Sequence, residues 1–522
     1  MANRDSALKK AGAIRYRRLR APAGHGTALQ DPTLDSSEKL LEANKATTLP
    51  AEWQQIRDLA RDEIIGSAIT YTSKYRDVDK NHRDQSTIVM SGHQPSLFHP
   101  GVWFKNFALS ELGHKHNAVA INLVVDNDIC GVAGVRVPAI EATGSRFKVL
   151  PIDQPGDNVP FEERRIEDLA FFEKFSSRAT SAIKPLVGEP IVEQLWPLVV
   201  QHAQTESMGA AFSKGRHQLE GENGLTTFEI PISEVAKTNA FASFVKLVLC
   251  DMENVAATYN SALADYRKVH KIRSRSHPVP ELETVDGWIE SPFWIWNSQQ
   301  PIRRSLYVKQ DGKIIKCSDR QETEFKIPSG DFENTFLDLQ NKNIAIRPKA
   351  LMTTMFARLA LSDLFIHGIG GSKYDQLTDA IIQQHFGIQP PQFITLTATM
   401  KLTSEFDSIN KQAVTQKKHL LREYVFHPER FIEANPITQP LIGDKKTQIA
   451  AVKSLERHRG IEAANEKLRS LVQAEKTQLE SEITELRSKL RTSEILGSRE
   501  YSFCLHSQEL VDGLKDLLRH SG

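Results

Sequence analysis

This sequence has few cysteines, and their spacing suits neither metal binding nor cross-linking. Four cysteines occur in 522 residues, at Cys130, Cys250, Cys317 and Cys504. No Cys-x-x-Cys pair is present, which argues against both a zinc ribbon and a disulfide scaffold. Thiols that stay reduced are typical of the cytosol, and we therefore expect a cytoplasmic protein.

Charge of one sign and long apolar runs are also lacking. The formal net charge is +1, so whole-molecule electrostatics give no reason to expect a nucleic-acid partner. No apolar run approaches the roughly 18 residues that a membrane-spanning helix needs, and we expect no membrane partner. Seven basic residues lie between Arg4 and Arg20, but no apolar stretch follows them. That pattern favours a basic arm over a secretory signal.

Strong catalytic motifs are missing as well. The sequence contains neither the Gly-x-Ser-x-Gly of serine hydrolases nor the His-Glu-x-x-His of zinc proteases. A nucleotidyl-transfer enzyme would want a His-x-Gly-His signature, which the spacing of His93 and His99 does not match. We predict no metal site, because His93, His99 and Asp126 show no diagnostic ligand spacing.

What the sequence does contain is an ordinary globular composition, with 40% hydrophobic and 25% charged residues. We predict a basic arm and helices over residues 1–85, a core over 86–400, and a helical insertion in that core over about 150–280. A coiled-coil arm follows over 401–497, and residues 498–522 return to the core. The predicted fold class is therefore α/β, with a Rossmann-like parallel sheet, a helical insertion and a C-terminal α-helical coiled coil.

The pattern of residues 86–128 predicts a strand, a loop, a helix and a second strand. Residues 86–91 and 118–125 are apolar and β-branched, as buried strands are. A turn-rich loop leads from the first strand into a helix over 103–116. Ligands bind beyond the carboxyl ends of parallel strands. If the two strands are neighbours, His93 and Asp126 therefore line one crevice.

The two strand ends carry groups that suit ligand binding. The histidines after the first strand could contact a phosphate or donate a proton, or they could merely cap the loop. Asp126 and Asp128 could hold an amine, a ribose or a cation, or they could simply close a turn. We predict catalytic roles for His93, Asp126 and Asp128. The binding candidates of this region are Ser91, Gly92, Gln94 and His99.

A glycine-rich segment and a basic run add candidates. The glycines follow a predicted strand over 363–367 and precede a helix over 373–386, so they could let a phosphate approach the backbone, or form a turn without a ligand. The basic run over 266–277 could meet a polyanion, or be a solvated face. The binding candidates of these segments are Gly368, Gly370, Gly371, Ser372, Lys373, Arg273 and Arg275.

Residues 291–316 show the alternation of strands. Asp311-Gly312 lies between two such runs and predicts a β-hairpin. Three nearby tryptophans, Trp288, Trp294 and Trp296, are assigned to the core rather than to a stacking surface.

Residues 443–492 are rich in Glu, Lys, Arg and Leu, with apolar residues in steps of three, four and seven. This pattern predicts one long amphipathic helix of a coiled coil. Residues 401–425 could pair with it but are too few to cover its length. We therefore predict a homodimer through this helix, with an intramolecular hairpin as the alternative. The apolar positions are Leu468, Val472, Leu479, Ile483, Leu486 and Leu490.

The order of these motifs resembles that of the cysteine-adding enzymes of bacillithiol biosynthesis, the BshC family. A strand-end loop of the type Thr-Gly-Gln-Gln-x-Gly-Leu-Phe is similar to residues 91–98. A Gly-Glu-Asp-His-Asp motif is matched in shortened form by residues 125–128, and a Gly-Gly-Pro-Gly-Glu-x-x-Tyr loop by residues 368–374. His93 stands where the family has Gln, and Lys373 where it has an acid. The resemblance covers most of the chain from Ser86.

The resemblance implies a ligase that joins cysteine, or a similar carboxylate, to the amine of an amino-sugar-type small molecule. In this hypothesis the two loops hold anionic groups, and Asp126 and Asp128 orient the amine or a ribose. Arg273 or Arg275 would offset developing negative charge. A carboxylate must be activated before an amine attacks it, so ATP is a reasonable cosubstrate, although the sequence specifies no cofactor.

The competing hypothesis is a non-catalytic assembly protein. Its function would lie in the coiled coil, and its core would be a degenerate nucleotide-binding-like module. A crevice filled by Phe98, Trp103 or Met90 would favour this alternative, whereas convergent polar groups would favour the enzyme.

Overall fold

A computed structural model describes residues 19–78, 86–131, 133–141, 144–403 and 411–519. Most of the predicted basic arm falls on residues 1–18 and lies outside the described residues. The chain divides into two compact units. The first comprises residues 1–136, 149–400 and 499–522, and the second comprises 137–148 and 401–498. No helix of the described part of the chain combines the length and apolarity needed to cross a membrane.

The elements follow one another in both units. The strands are β1 (Thr27–Asp31), β2 (Ile88–His93), β3 (Val119–Val124), β4 (Gly134–Glu141), β5 (Gly144–Pro151), β6 (Phe228–Pro231), β7 (Thr284–Val285), β8 (Trp288–Asn297), β9 (Gln300–Asp311), β10 (Ile314–Ser318), β11 (Glu324–Pro328), β12 (Ile344–Pro348), β13 (Leu364–His367) and β14 (Phe393–Thr399). The helices are α1 (Ser37–Lys45), α2 (Ala51–Thr72), α3 (Pro100–Lys115), α4 (Leu169–Glu173), α5 (Phe175–Val187), α6 (Val192–Ala203), α7 (Met208–Glu222), α8 (Ile232–Val235), α9 (Asn239–Leu249), α10 (Met252–His270), α11 (Phe332–Asn341), α12 (Ala350–Phe356), α13 (Ile369–Phe386), α14 (Lys411–Phe426), α15 (Thr438–Ala450), α16 (Leu455–Leu471), α17 (Gln473–Leu496) and α18 (Glu509–Arg519).

The main sheet of the first unit has the strand order β1-β14-β13-β2-β3-β6. β14, β13, β2, β3 and β6 are parallel, and β1 is antiparallel to β14. The prediction of a mixed α/β protein with a parallel sheet is therefore confirmed. The two predicted neighbours are β2 and β3, which pair from Ile88↔Val119 to His93↔Val124. Their polar ends lie at the same edge of the sheet.

Helices cover both faces of this sheet, which is why its strands are apolar throughout. Every residue of β3 is buried. α3 connects β2 to β3 and packs against both, and its Gly113 comes close to Ala120 of β3. Ile121 points the other way, into the hydrophobic core that includes residues of α2 and α9. The sheet is thus fixed between two layers, and only its strand ends are available to a ligand.

A second, antiparallel sheet in the first unit has the order β11-β10-β9-β8-β12, with β7 paired to β8. The predicted hairpin at Asp311-Gly312 is confirmed, because β9 and β10 pair antiparallel around it. Gly312 has a φ of +60°, a conformation that side chains other than glycine rarely adopt. β8, β9 and β12 contribute to the site described below.

Several predicted boundaries are wrong in ways that affect the site. β2 extends through His93, so Gly92 and His93 belong to the strand and not to the loop. α13 begins at Ile369, so Gly370 and Gly371 lie in its first turn. The predicted helical insertion contains β6, which joins the main sheet beside β3. Four residues are too few for periodicity to reveal a strand.

The predicted single helix over 443–492 is also wrong. Three helices occupy this part of the second unit, with breaks between Ala450 and Leu455 and at Val472. Ser454 is the N-cap of α16, where its side-chain oxygen accepts the backbone N–H of Arg457 at 3.1 Å. α14 packs along α17, and α15 packs along α16. Leu479 is consequently buried within one chain.

Candidate functional site

The carboxyl ends of β13, β2 and β3 form one edge of the main sheet, where the predicted site residues gather. β2 ends at His93, β3 ends just before Asp126, and β13 ends just before Gly368. The side-chain amide of Gln94 donates a hydrogen bond to the Asp128 carboxylate, which joins the two loops directly.

At the end of β2 the polar groups are already paired. The Ser91 hydroxyl donates to the Ile366 carbonyl at 3.2 Å, and the Gly92 carbonyl accepts from Lys105 Nζ at 2.6 Å. His93 is buried, with Nε2 at 3.0 Å from Asn106 Oδ1 and Nδ1 at 3.1 Å from the Gln94 carbonyl. Both of its ring nitrogens therefore serve the protein rather than a ligand.

Electrostatics lead to the same conclusion for His93. Burial lowers its pKa well below the ordinary value, and the positive charges of Arg216 and Lys105 lower it further. These effects favour the neutral imidazole, which can donate to only one of the two oxygens that its nitrogens face. The Phe98 ring packs on it with a centroid distance of 4.5 Å. Of the three residues named in the assembly hypothesis, Phe98 covers His93, while Trp103 and Met90 lie in the core.

A buried ionic network lies behind His93. Arg216 donates to Glu220 at 2.8 Å and also to Glu229. Glu220 accepts from Asn106 at 2.7 Å, and Asn106 in turn contacts His93. Burial raises the pKa of Glu229 to about 7, although Arg216 opposes that shift. The network holds the Asn106 side chain that contacts His93, and its two carboxylates share the Arg216 guanidinium.

The two predicted aspartates differ sharply. Asp126 is buried and accepts from both the backbone N–H of Ser233, at 3.1 Å, and the Ser233 hydroxyl, so it ties β3 to the start of α8. Burial raises the pKa of Asp126 to about 8, and the nearby Glu162 carboxylate adds to the shift. Asp128 is partly exposed and accepts from Arg303 Nη1 at 3.0 Å. Asp128, unlike Asp126, therefore lines the cavity described next.

A cavity of about 190 Å³ opens beside Asp128. Its walls come from the end of β3, from β8 and β9, and from the segment joining β12 to α12. Most of the lining is apolar. The lining residues that bear on chemistry are Asn127, Asp128, Tyr259, Trp294, Arg303, Lys349 and Thr353.

Two cations lie over one tryptophan in this cavity. The Arg303 guanidinium carbon and Lys349 Nζ are each 4.5 Å from the centroid of the Trp294 ring. Lys349 donates to Glu290 at 2.5 Å, and burial lowers the pKa of Lys349 although Glu290 opposes the shift. The prediction that Trp294 is a core residue is wrong, because its ring lines the cavity.

Asn127 presents an unused acceptor at the same cavity. Its amide nitrogen donates to the Pro348 carbonyl at 2.8 Å, which fixes the side chain. Its Oδ1 is buried and has no hydrogen-bond partner in the described part of the chain. A buried carbonyl oxygen without a partner costs free energy, so this side chain is a strained part of the cavity wall.

The remaining predicted residues are placed as follows. In the first turn of α13, Gly370, Gly371 and Lys373 are exposed, whereas Ser372 is buried and donates to the Ile369 carbonyl at 3.2 Å. His99 uses its ring nitrogen to accept the Gly101 N–H at 3.0 Å, so its role is the capping alternative. The structure therefore removes His99 from the candidate site.

Arg273 and Arg275 lie in an exposed loop after α10. The described contact of Arg275 is structural, since its carbonyl accepts from Arg267. The basic side chains that reach the cavity are instead Arg303 and Lys349. Sequence reasoning missed both, because they come from segments about 200 residues beyond β3 and carry no local motif. Asn127 and His367 do carry a signal in the sequence, since each lies at the end of a predicted strand.

The fold and the cavity together define an α/β protein with a small-molecule-sized cleft at the carboxyl edge of a parallel sheet. Within the residues that the structure describes, no group of three or more His, Cys, Asp or Glu side chains could hold a metal ion. No protein-family model matches the chain, and a search of the curated proteins returns no match either.

Proposed function

We propose that this protein is a cytoplasmic enzyme that forms an amide bond between a small carboxylate and an amine, on a Rossmann-like core. The observation that carries the proposal is the cavity where Asp128, Arg303 and Lys349 converge around Trp294. Groups of both signs around an apolar floor suit a small substrate that bears a carboxylate and a hydrogen-bond donor.

Each polar group has a role in this proposal. Arg303 and Lys349 would attract the substrate carboxylate, and Asp128 would accept its N–H or O–H donors. Cysteine or a similar amino acid fits this pattern, as does the resemblance of residues 91–98 and 368–374 to the cysteine-adding enzymes. The amine would come from an amino-sugar-type second substrate.

Activation of the carboxylate requires a co-reactant, and ATP is the one we propose. The first turn of α13 supports this choice, because Gly368 caps the helix without a side chain and Gly370 and Gly371 leave the backbone exposed. Free N–H groups at a helix N-terminus attract phosphate. The aliphatic part of Lys105 passes close to Gly368, and its Nζ donates to the Gly92 carbonyl.

A thermal-shift screen tests the binding part of the proposal. We expect cysteine or a related amino acid to raise the melting temperature, increasingly so as its concentration exceeds the dissociation constant. Arg303→Gln should reduce that shift, because the apparent affinity for the amino acid should fall at least about tenfold. This is a loss of about 1.4 kcal/mol in binding free energy. Arg304→Gln is the matched control, because Arg304 lines a different surface depression near Asp319.

Turnover then tests the reaction. Incubation with ATP, the stabilising amino acid and an amino sugar should yield the amide, detected by mass spectrometry. If no carboxylate, nucleotide or amino sugar shifts the melting temperature, and Arg303→Gln and Arg304→Gln behave alike, the proposal is wrong.

An assembly function is the second candidate, and one observation favours it. Large apolar side chains are exposed in the second unit, among them Ile437 at 78%, Val452 at 86% and Leu455 at 68%. Exposed apolar groups of this kind suit contact with another chain. The homodimer predicted from the sequence is therefore retained as a proposal, with these residues in place of the buried Leu479.

A further inference from the structure

His367 ends β13 and carries an arrangement that the proposed reaction has not used. Ile366 pairs with Ser91, so His367 lies level with Gly92 on the neighbouring strand. Its Nε2 is 2.7 Å from Oδ2 of Asp375, which lies in α13. The Asp375 carboxylate also accepts from Arg358 Nη1 and from the Thr354 hydroxyl, both at 2.6 Å. The imidazole is thus held by a carboxylate that is itself fixed from two further sides.

The charge on Asp375 determines which ring nitrogen of His367 is free. Burial alone would raise the pKa of Asp375, but Arg358 and His367 hold it below its ordinary value. Arg358 also pairs with Asp379 at 2.7 Å, so these are the charged groups around the imidazole. An ionised carboxylate can only accept a hydrogen bond. Nε2 must therefore donate to Asp375, and the tautomer that does so with a single proton has its lone pair on Nδ1.

Nδ1 of His367 is directed at Gly371. A Cβ atom added at Gly371 would lie 2.8 Å from Nδ1, closer than such contacts occur. His367 is 96% buried, since its exposure is 4%, and the hydrogen bond that fixes its ring runs from Nε2 to Asp375. A glycine at this position therefore leaves room for Nδ1 of the imidazole beside the first turn of α13, which a side chain would fill.

The first turn of α13 lies beside this nitrogen. The first intrahelical bond runs from the Ser372 N–H to the Gly368 carbonyl at 3.0 Å, so the N–H groups of Ile369, Gly370 and Gly371 precede it. The Lys105 side chain would come within 3.9 Å of a Cβ atom at Gly368. The turn is therefore suited to a phosphate, and Nδ1 to a proton donor that lies beside that phosphate.

We propose that His367 is a catalytic residue, and that its Nδ1 accepts the proton of the amine that attacks an acyl phosphate whose phosphate is held by the first turn of α13. The inference rests on the proposed function for its reaction. Asp375 is the positioning residue, because it fixes the ring and stabilises the imidazolium that forms.

The step is the attack of the amine on an acyl phosphate made from the carboxylate and a nucleoside triphosphate. The nitrogen lone pair forms the C–N bond, and the bond between the carbonyl carbon and the phosphate oxygen breaks. The phosphate leaves with that electron pair. The proton lost by nitrogen goes to His367 Nδ1 and later to solvent, so atoms and charge balance.

The accessibility of Nδ1 can be tested without any substrate. Diethyl pyrocarbonate modifies neutral imidazole nitrogens that it can reach, and mass spectrometry locates the product. We expect His367 to be modified in the wild-type protein, with exposed His458 as an internal reference. Gly371→Ala should slow the modification at least about tenfold, because its methyl group covers Nδ1. Gly370→Ala is the matched control, since a Cβ there meets nothing within 4 Å and should leave His367 reactive.

Turnover separates this inference from the proposed function. A positioned base contributes about 10²–10⁴-fold, so His367→Asn should lower kcat by about 100-fold or more with a smaller change in KM. Asp375→Asn should lower kcat less and change its pH profile. An unreactive His367, or equal reactivity in Gly371→Ala and Gly370→Ala, would overturn the inference. A reactive His367 in a protein that forms no amide would instead overturn the proposed function alone.

Discussion

The Asp126 carboxylate accepts two hydrogen bonds from Ser233, yet burial beside Glu162 raises its pKa to about 8. The folded protein therefore binds this proton more tightly than the unfolded chain, whose pKa is the ordinary 3.8. Between these two values stability must fall as pH rises, because the native state holds more protons. A residue chosen from sequence as catalytic is thus a source of pH-dependent stability.

Asp126→Asn should remove this dependence. Near pH 8 the variant should be more stable than the wild type by at least about 1.4 kcal/mol, the free energy of one pKa unit. Near pH 4 the difference should vanish or reverse, since both proteins are then neutral at this position. Urea unfolding at several pH values measures this difference in the free energy of unfolding. A constant difference across that range would show that Asp126 is not the titrating group.

Local sequence identified the edge of the site but not the residues that face a ligand. Asp128 follows a recognisable strand and was found for that reason. Arg303 and Lys349 reach the same cavity through β9 and the end of β12. Their positions depend on how a second sheet packs, and no short-range pattern encodes that packing. His93 shows the opposite error, since a strand-end position did not reveal that Asn106 and Gln94 occupy both ring nitrogens.

Among the elements, β2 and β3 were predictable because buried parallel strands are continuous apolar runs. β6 was not, because its sequence Phe-Glu-Ile-Pro is short and its Glu229 is buried only through the Arg216 ion pair. The break before α16 has a signal in the sequence that the spacing of apolar residues does not show. Ser454 precedes Leu455, and serine is among the preferred N-cap residues.

The helices of the second unit allow a prediction at the same scale. Leu479 is 5% exposed, so Leu479→Asp would bury an unpaired carboxylate at a cost of several kcal/mol. We expect it to unfold the second unit at a lower urea concentration without changing the oligomeric state. Circular dichroism and sedimentation measure the two effects. The control is Ser488→Asp, on the exposed side of α17, which should change neither the stability nor the oligomeric state. If Leu479→Asp dissociates the protein without lowering its stability, the helix packing described above is wrong.

At the scale of the whole molecule, the proposed dimer should depend on exposed residues. If the second unit pairs with another copy, Val452→Glu with Leu455→Glu should yield monomers, because both side chains are exposed in the single chain. Their replacement should leave the melting temperature of the monomer almost unchanged. Sedimentation velocity at micromolar concentration decides the matter, and a monomeric wild-type protein would end the dimer proposal.

The first unit is assembled from three stretches of chain, and the last begins at Arg499. The Phe503 N–H donates to the Phe98 carbonyl at 2.8 Å, and the Phe503 ring lies 4.4 Å from that of Trp103. During synthesis, the loop after β2 therefore emerges from the ribosome some 400 residues before the segment that covers it. This aromatic surface lacks its cover during that interval, and apolar surface exposed in this way is prone to aggregation.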